Sequence, residues 1–369
     1  MDPVTGVGVP DGAVPDAVVA PVRATGIGSW PGTSAREAVR TVRDLLVDGE
    51  GVGLPHCPET PARGPGADII GRAAGLLVDL PVDLQPSGWR FVDRPGLDAA
   101  RTASFHREDL DELAEAYDGY VGALKVQVAG PWTLAASLRL NRGERVVVDP
   151  GAVADLVASL TDGIQAYVSD VRRLVPGAEV VLQVDEPSLP SVLEGSLPTS
   201  SGFGRVRAVD PQVVMRALES VLAAHAGPTA VHCCHASAPL PLLRATGAGA
   251  LAVDLTAATP ARWESVAATL DAGTGIWVGC LRTDGSEAGD SGAGDPGAGD
   301  SGAGRPGADV EARALVLNGF ERSGLTSDAL RGLVVSPTCG LAGLTPQGAR
   351  NVLRAALDTA RRLAEEVPS

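Results

Sequence analysis

The sequence predicts an α/β fold, a single (β/α)8 barrel of the TIM type. Eight short apolar runs alternate with amphipathic segments along the chain, as expected for parallel strands joined by helices. Aromatic residues make up only 3% of the chain and Val, Leu and Ala dominate the apolar runs, which is typical of strands buried on both faces. A length of 369 residues fits either one large barrel or two ordinary domains. The eight strand–helix units favour the barrel over an open sheet.

The elements can be placed in order. The first helix is predicted to begin at Ser34, because Ser34 and Glu37 have the spacing of a capping box. The run at 78–84 is the least regular of the predicted strands. The predicted strands are 24–28, 78–84, 125–129, 180–184, 229–233, 250–255, 275–280 and 333–336. The predicted helices are 34–46, 109–124, 150–174, 211–225, 260–270, 310–322 and 345–366.

Two segments lack this pattern. Residues 1–22 are rich in Pro, Gly, Val and Asp without a period, and we predict a disordered arm. Residues 284–309 repeat Gly, Ala, Gly and Asp and have too few apolar side chains to form a core. Patterned sequence resumes after residue 309, so we predict that the barrel domain spans 23–369 and is interrupted by a flexible insert.

Charge, hydropathy and cysteine count exclude several classes of partner and location. The formal net charge of −15 argues against partners that are themselves polyanions, such as nucleic acids or anionic membranes. No apolar run reaches the roughly 20 residues of a membrane span, and the N-terminus lacks the basic region of a secretory signal. The five cysteines are an odd number, which favours reduced thiols or metal ligands over a disulfide framework. We therefore expect a cytoplasmic protein that acts on small molecules.

Candidate metal ligands lie at the ends of three predicted strands. His232 and Cys234 are two residues apart on one strand, so they share a face while Cys233 points the other way. Asp254 and Cys339 follow at the corresponding ends of later strands. Imidazole, thiolate and carboxylate groups together suit Zn²⁺ in tetrahedral geometry.

The other cysteines and a neighbouring histidine have simpler interpretations. A cysteine in a Val- and Ala-rich strand is usually a small buried apolar residue. We predict this for Cys57, Cys233 and Cys280. His235 could support the metal ligands from behind or be a loop residue, and we predict a loop residue.

Polar residues also end two further strands. In LQVDEPSL, Asp185 and Glu186 are adjacent and must point in opposite directions. Gln183 and Asp185 are predicted to face the barrel mouth, where Asp185 could hold a substrate ammonium group or cap a helix. In IGSWPGT, Gly28 allows close approach of a ligand and Ser29 offers a hydroxyl group. The spacing of the glycines in this loop does not match the dinucleotide-binding G-x-G-x-x-G in its strand and helix context, and the chain contains no P-loop or G-x-S-x-G motif.

Five motifs in order, IGSWPGT, QVAGPWTL, LQVDEPSL, VHCC and VVSPTCGL, resemble the C-terminal catalytic barrel of cobalamin-independent methionine synthase. This family lies in a superfamily with uroporphyrinogen decarboxylase. The resemblance implies a zinc-dependent methyltransferase that methylates the thiol of homocysteine in methionine biosynthesis. It implies zinc ligands at His232, Cys234, Asp254 and Cys339, with Asp254 in place of the family's glutamate. It also implies homocysteine contacts at Ile27, Gly28, Ser29, Glu59 and Asp185, the last gripping the ammonium group.

The sequence departs from the family on the methyl-donor side. The family has a further N-terminal half, for which this chain has only the short arm. Trp132 is displaced from the tryptophan position that contacts pterin, and the strand at 275–280 is not followed by the family's catalytic histidine. The resemblance implies a methyl-folate donor. Such a donor needs a proton on its leaving nitrogen, so a methyl-corrinoid donor is an alternative. A zinc-binding barrel without turnover is a second alternative, and a porphyrin-modifying relative is a third.

Overall fold

A curled sheet of seven parallel strands forms the centre of the fold. The computed structural model describes residues 21–141, 143–283 and 305–368. Its strands are β1 (Val22–Ala24), β2 (Val82–Gln85), β3 (Gly88–Phe91), β4 (Gly122–Ala129), β5 (Ala178–Asp185), β6 (Thr229–Cys233), β7 (Ala250–Asp254), β8 (Gly275–Leu281) and β9 (Leu333–Pro337). The large sheet has the order β1-β9-β8-β7-β6-β5-β4, and all of its pairs are parallel.

Helices follow most of these strands and pack on the outside of the sheet. They are α1 (Ala35–Leu46), α2 (Ile69–Ala74), α3 (Leu97–Ala116), α4 (Pro131–Ser137), α5 (Pro150–Leu174), α6 (Leu189–Glu194), α7 (Pro211–Leu222), α8 (Leu240–Ala245), α9 (Pro260–Asp271), α10 (Ala308–Arg322) and α11 (Pro346–Ala364). The Ser34 hydroxyl accepts a hydrogen bond from the Glu37 amide at 3.2 Å, which confirms the predicted start of α1. Within the described ranges, no helix has the length and apolarity of a membrane span.

An irregular segment at 52–59 lies between the two outer strands of the sheet. It makes parallel bridges to β1 through Gly53 and to β4 through His56. The Leu54 amide donates to the Ala24 carbonyl at 2.7 Å, and the Lys125 amide donates to the Pro55 carbonyl at 2.8 Å. The sheet therefore curls until its two edges are joined through this segment, an arrangement consistent with a TIM-type barrel.

Two predicted elements are wrong. The strand predicted at 78–84 does not join the large sheet; its C-terminal part contributes to β2, which forms an antiparallel hairpin with β3. The position between β1 and β4 is occupied by the 52–59 segment instead. The helix predicted at 109–124 is displaced, because α3 ends at Ala116 and β4 begins at Gly122. Gly119 lies at a φ of +70°, a left-handed conformation that terminates helices.

The low-complexity predictions fall mainly outside the described residues, which exclude 1–20 and 284–304. At their edges the predicted boundaries are too wide. Val22 already belongs to β1, and α10 begins at Ala308.

The interior of the curled sheet changes character along its axis. One layer is apolar. Its three alanines are small and leave room for the large side chain of Trp277. Its members are Leu54, Val181, Ala230, Ala250, Ala252, Trp277 and Val334. Towards the C-terminal ends of β4 and β5 the interior side chains become polar, with Lys125, Gln127 and Gln183 all buried. This polar layer lies beneath the strand ends at which the predicted site residues are found.

Candidate functional site

A cleft of about 320 Å³ opens at the C-terminal ends of the parallel strands. Parallel barrels collect their functional groups at this end. Eight of the nine predicted site residues line the cleft: Ile27, Gly28, Ser29, Glu59, Asp185, His232, Cys234 and Cys339. Asp254 is the exception.

The alternation of β6 places His232 and Cys234 in the cleft and buries Cys233 in the outer core. His232 Nδ1 lies 2.8 Å from Asp185 Oδ1. Because a carboxylate oxygen only accepts, Nδ1 donates and the neutral ring keeps its lone pair on Nε2. In the described part of the chain, buried Nε2 has no hydrogen-bond partner. An imidazole held by a carboxylate with its other nitrogen unpartnered is the usual arrangement of a metal-binding histidine.

Two sulfur atoms lie in the same cleft. Cys234 Sγ and Cys339 Sγ are 3.6 Å apart, close to the roughly 3.8 Å separating two thiolates on a tetrahedral zinc with bonds of about 2.3 Å. The hydrogen bond with Cys234 is the main reason that the pKa of Cys339 is lowered to about 6. The same hydrogen bond raises the pKa of Cys234. One imidazole and two sulfurs thus fit zinc in chemical type.

The fourth predicted ligand lies apart from this group. Asp254 ends β7 and does not line the cleft. Its Oδ1 accepts hydrogen bonds from the amide and the hydroxyl of Thr256, both at 2.8 Å. Over residues 21–141, 143–283 and 305–368, no three His, Cys, Asp or Glu side chains are close enough to surround an ion. The assignment of Asp254 as a ligand stays a prediction.

The two adjacent carboxylates of the Asp-Glu-Pro motif point in opposite directions, as predicted. Asp185 faces the cleft, whereas Glu186 accepts hydrogen bonds at the start of α4 from the Trp132 amide at 2.9 Å and from the Thr133 amide and hydroxyl at 2.7 Å. Burial raises the pKa of Glu186 to about 7. Trp132 is buried and its indole donates to the Val214 carbonyl at 3.1 Å. Glu186 and Trp132 therefore belong to the scaffold.

Glu59 reaches the cleft from the end of the 52–59 segment. Its amide donates to the Gly28 carbonyl at 3.1 Å, and its carbonyl accepts from the Trp30 amide at 2.7 Å. Its Oε1 accepts from Gln127 Nε2 at 3.2 Å and lies 3.5 Å from Arg72 Nε. Burial raises the pKa of Glu59, and the charge of Arg72 opposes this rise.

Arg72 is itself part of a buried ionic cluster. It pairs with Asp109, which also accepts from Arg63 Nη2 at 2.6 Å. Sequence reasoning did not identify this cluster, because its members come from three separate places: α2, α3 and the short turn between the 52–59 segment and α2. Arg72 connects this cluster to Glu59.

The loop containing Ser29 packs tightly against its neighbours. A Cβ atom on Gly28 would lie 2.9 Å from the Gln127 side chain, and one on Gly340 would lie 2.1 Å from Ser29 Oγ. Ser29 Oγ accepts from the Ala342 amide at 3.3 Å. A side chain at either position would displace Gln127 or the Ser29 hydroxyl, and the loop after β9 holds this hydroxyl.

Lys125 is a further residue that sequence reasoning did not identify. It is fully buried, and its ammonium group donates to the Ile27 carbonyl at 2.6 Å, to Gln183 Oε1 at 2.8 Å and to Gln127 Oε1 at 3.4 Å. Burial lowers its pKa to about 7. The alternation in KVQVA was the available signal, since it places Lys125 and Gln127 on the same face of β4.

Comparisons with known proteins agree with this fold. No curated protein matches the chain. The chain is similar in fold to a B12-independent methionine synthase from Shewanella sp. W3-18-1, solved in complex with selenomethionine, with a TM-score of 0.56 and 13% identity over 94% of this chain and 98% of that one. Residues 22–285 match the family model described as "Cobalamin-independent synthase, Catalytic domain". Because this match spans well over half of the sequence and contains most of the cleft, the chain belongs to the cobalamin-independent methionine synthase family, in the region of its catalytic domain.

Proposed function

We propose that this chain is a zinc-dependent S-methyltransferase that converts homocysteine to methionine. The observation that supports it most strongly is the unpartnered His232 Nε2 in the same cleft as the Cys234 and Cys339 sulfurs. Family membership supports the reaction class. Five free cysteines suit a reducing compartment, and the cytoplasm is the proposed location.

His232, Cys234 and Cys339 would hold the zinc ion, with Asp254 as the candidate fourth ligand. Bound zinc would supply the positive charge that keeps a substrate thiol deprotonated near neutral pH. Asp185 orients the His232 ring through Nδ1, so that Nε2 faces the cleft with its lone pair available to a metal ion.

The other end of homocysteine carries an ammonium group and a carboxylate. In the proposal, Asp185 and Glu59 accept hydrogen bonds from the ammonium group, because both carboxylates line the cleft. The Ser29 hydroxyl, which is fixed by the loop after β9, donates to the substrate carboxylate. These contacts leave the thiol free to extend towards His232 and the two cysteines.

Methyl-folate is the proposed methyl donor, and the cobalamin-independent character of the family supports this choice. A methyl-corrinoid donor remains the alternative, since the GIWVGCLRTDG sequence around β8 contains no histidine to protonate a folate leaving group.

The test is product formation. Zinc-loaded protein would be incubated with homocysteine and methyl-tetrahydrofolate, and separately with methylcobalamin, and methionine would be measured by mass spectrometry. We expect methionine with the folate donor. Methionine with methylcobalamin alone would replace the donor assignment, and methionine from neither would refute the synthase function.

A matched pair of variants tests the zinc ligands. Cys234→Ala should lose stoichiometric zinc, whereas Cys233→Ala, the same change one residue earlier in the outer core, should retain it. Equal zinc contents in the two variants would contradict the ligand assignment.

A further inference from the structure

A buried polar unit lies directly beneath the proposed ammonium site. Gln127 on β4 and Gln183 on β5 are register partners on adjacent strands. Lys125, two residues before Gln127, donates to the side-chain oxygen of both glutamines. Its third acceptor is the Ile27 carbonyl. The three N–H groups of an ammonium are thereby matched by three acceptors.

This unit determines which way the two amides point. An ammonium group only donates, so it must face the oxygen of each amide. The NH2 groups of both glutamines are then directed to acceptors. Gln183 Nε2 donates to Asp185 Oδ1 at 2.7 Å and to the Ile27 carbonyl at 2.9 Å. Gln127 Nε2 donates to Glu59 Oε1 at 3.2 Å and to the Cys57 carbonyl at 2.7 Å.

Each carboxylate is held through one oxygen and leaves the other available. Asp185 receives its hydrogen bonds from Gln183 and His232 on Oδ1. Glu59 receives its contacts from Gln127 and Arg72 on Oε1. For the described residues, no hydrogen bond reaches Asp185 Oδ2 or Glu59 Oε2. Both residues line the cleft, where a free oxygen can accept from a ligand.

We infer that Lys125 is a positioning residue for recognition of the substrate's α-ammonium group. It fixes the amides of Gln127 and Gln183, and these in turn hold Glu59 and Asp185 with one oxygen each available to the substrate. The inference rests on the proposed function, because it assigns the ligand of these carboxylates as an amino acid. Without the Lys125 ammonium either amide can rotate, and a rotated amide would turn its oxygen towards a carboxylate and repel it.

The charge balance favours the same role. Among the described residues, no carboxylate contacts the Lys125 ammonium directly, although Asp185 and Glu59 both raise its pKa against the larger effect of burial. A buried lysine without a direct ion pair is costly. The presence of a buried lysine beneath two carboxylates is explained if those carboxylates must be oriented.

The experiment compares two ligands that differ only in the ammonium group. Calorimetry on zinc-loaded protein would give the Kd of methionine and of 4-(methylsulfanyl)butanoate, which lacks the amino group. The variants are Lys125→Met, which removes the donors, and Gln183→Glu, which keeps the shape but cannot donate to Asp185. Ser336→Ala is the control, because Ser336 is also buried inside the curled sheet and has no side-chain partner among the described residues.

The wild-type protein and Ser336→Ala should prefer methionine to the same degree. Lys125→Met and Gln183→Glu should reduce this preference by roughly tenfold, the worth of one hydrogen bond to a charged group, while binding of the deaminated analogue changes little. Unchanged preference in the folded variants would overturn the role of Lys125, and Gln183→Glu decides if Lys125→Met does not fold. A wild-type protein without any preference for methionine would instead overturn the proposed amino-acid site.

Discussion

Replacement of Asp185 by Asn removes one buried negative charge and preserves the shape of the side chain. In the wild-type protein, Asp185 Oδ1 accepts from His232 Nδ1 at 2.8 Å, and both side chains are almost fully buried. Solvent screening of this contact is therefore weak. A hydrogen bond to a charged group contributes about 1.5 kcal/mol more than a neutral one. Asp185→Asn should thus weaken zinc binding about tenfold, through poorer orientation and lower basicity of the His232 ring.

The assay is competition with a chromophoric zinc chelator at fixed pH. Glu186→Gln is the matched control, since it makes the same chemical change in the next residue. Glu186 caps α4 and does not line the cleft, so its substitution should leave zinc affinity within roughly threefold. It should instead lower the free energy of unfolding by about 1–3 kcal/mol, because an amide NH2 would face backbone donors. Equal zinc affinities in Asp185→Asn and the wild type, or equal losses in both variants, would refute the reasoning.

Three further predictions concern the scaffold. Gly340→Ala should weaken methionine binding at least about tenfold and lower the melting temperature, because its Cβ would lie 2.1 Å from Ser29 Oγ; unchanged binding in calorimetry would contradict the tight loop. Arg72→Met should reduce the free energy of unfolding by about 3 kcal/mol in urea titrations, because it leaves Asp109 with a buried charge that has lost one partner; a loss below about 1 kcal/mol, as for an exposed ion pair, would contradict this. Burial raises the folded-state pKa of Glu186 to about 7, above its unfolded value, so its contribution to stability is complete below about pH 4.5 and is lost as the pH rises through 7. Glu186→Gln should remove this slope from the pH dependence of unfolding, and identical slopes would disprove it.

The alternation of side chains along strands predicted which residues of β5 and β6 face the cleft. His232 and Cys234 face the cleft with Cys233 behind them, and Asp185 faces it with Glu186 behind, because a period of two residues is fixed by the backbone. His235 was also correctly predicted as a loop residue; it is exposed, and its ring accepts from the Ser237 amide.

Other features depend on contacts that no local pattern encodes. The 52–59 segment contains Pro55 and Pro58 and has no strand period, yet it joins the edges of the sheet because β1 and β4 offer it hydrogen-bond partners. The role of Lys125 depends on Gln183, which is 58 residues away in sequence. The position of the Asp254 side chain depends on its local hydrogen bonds with Thr256. These hydrogen bonds would have to break before the carboxylate could rotate towards the cleft.

X-ray absorption at the zinc edge, on protein loaded with one equivalent of zinc, tests the central claim most directly. Without substrate, the signal should show two sulfur neighbours, from Cys234 and Cys339, together with nitrogen or oxygen neighbours. After addition of homocysteine, it should show three sulfur neighbours. A spectrum without sulfur, or one that homocysteine leaves unchanged, would contradict the assignment of this cleft as a zinc site that binds a thiol substrate.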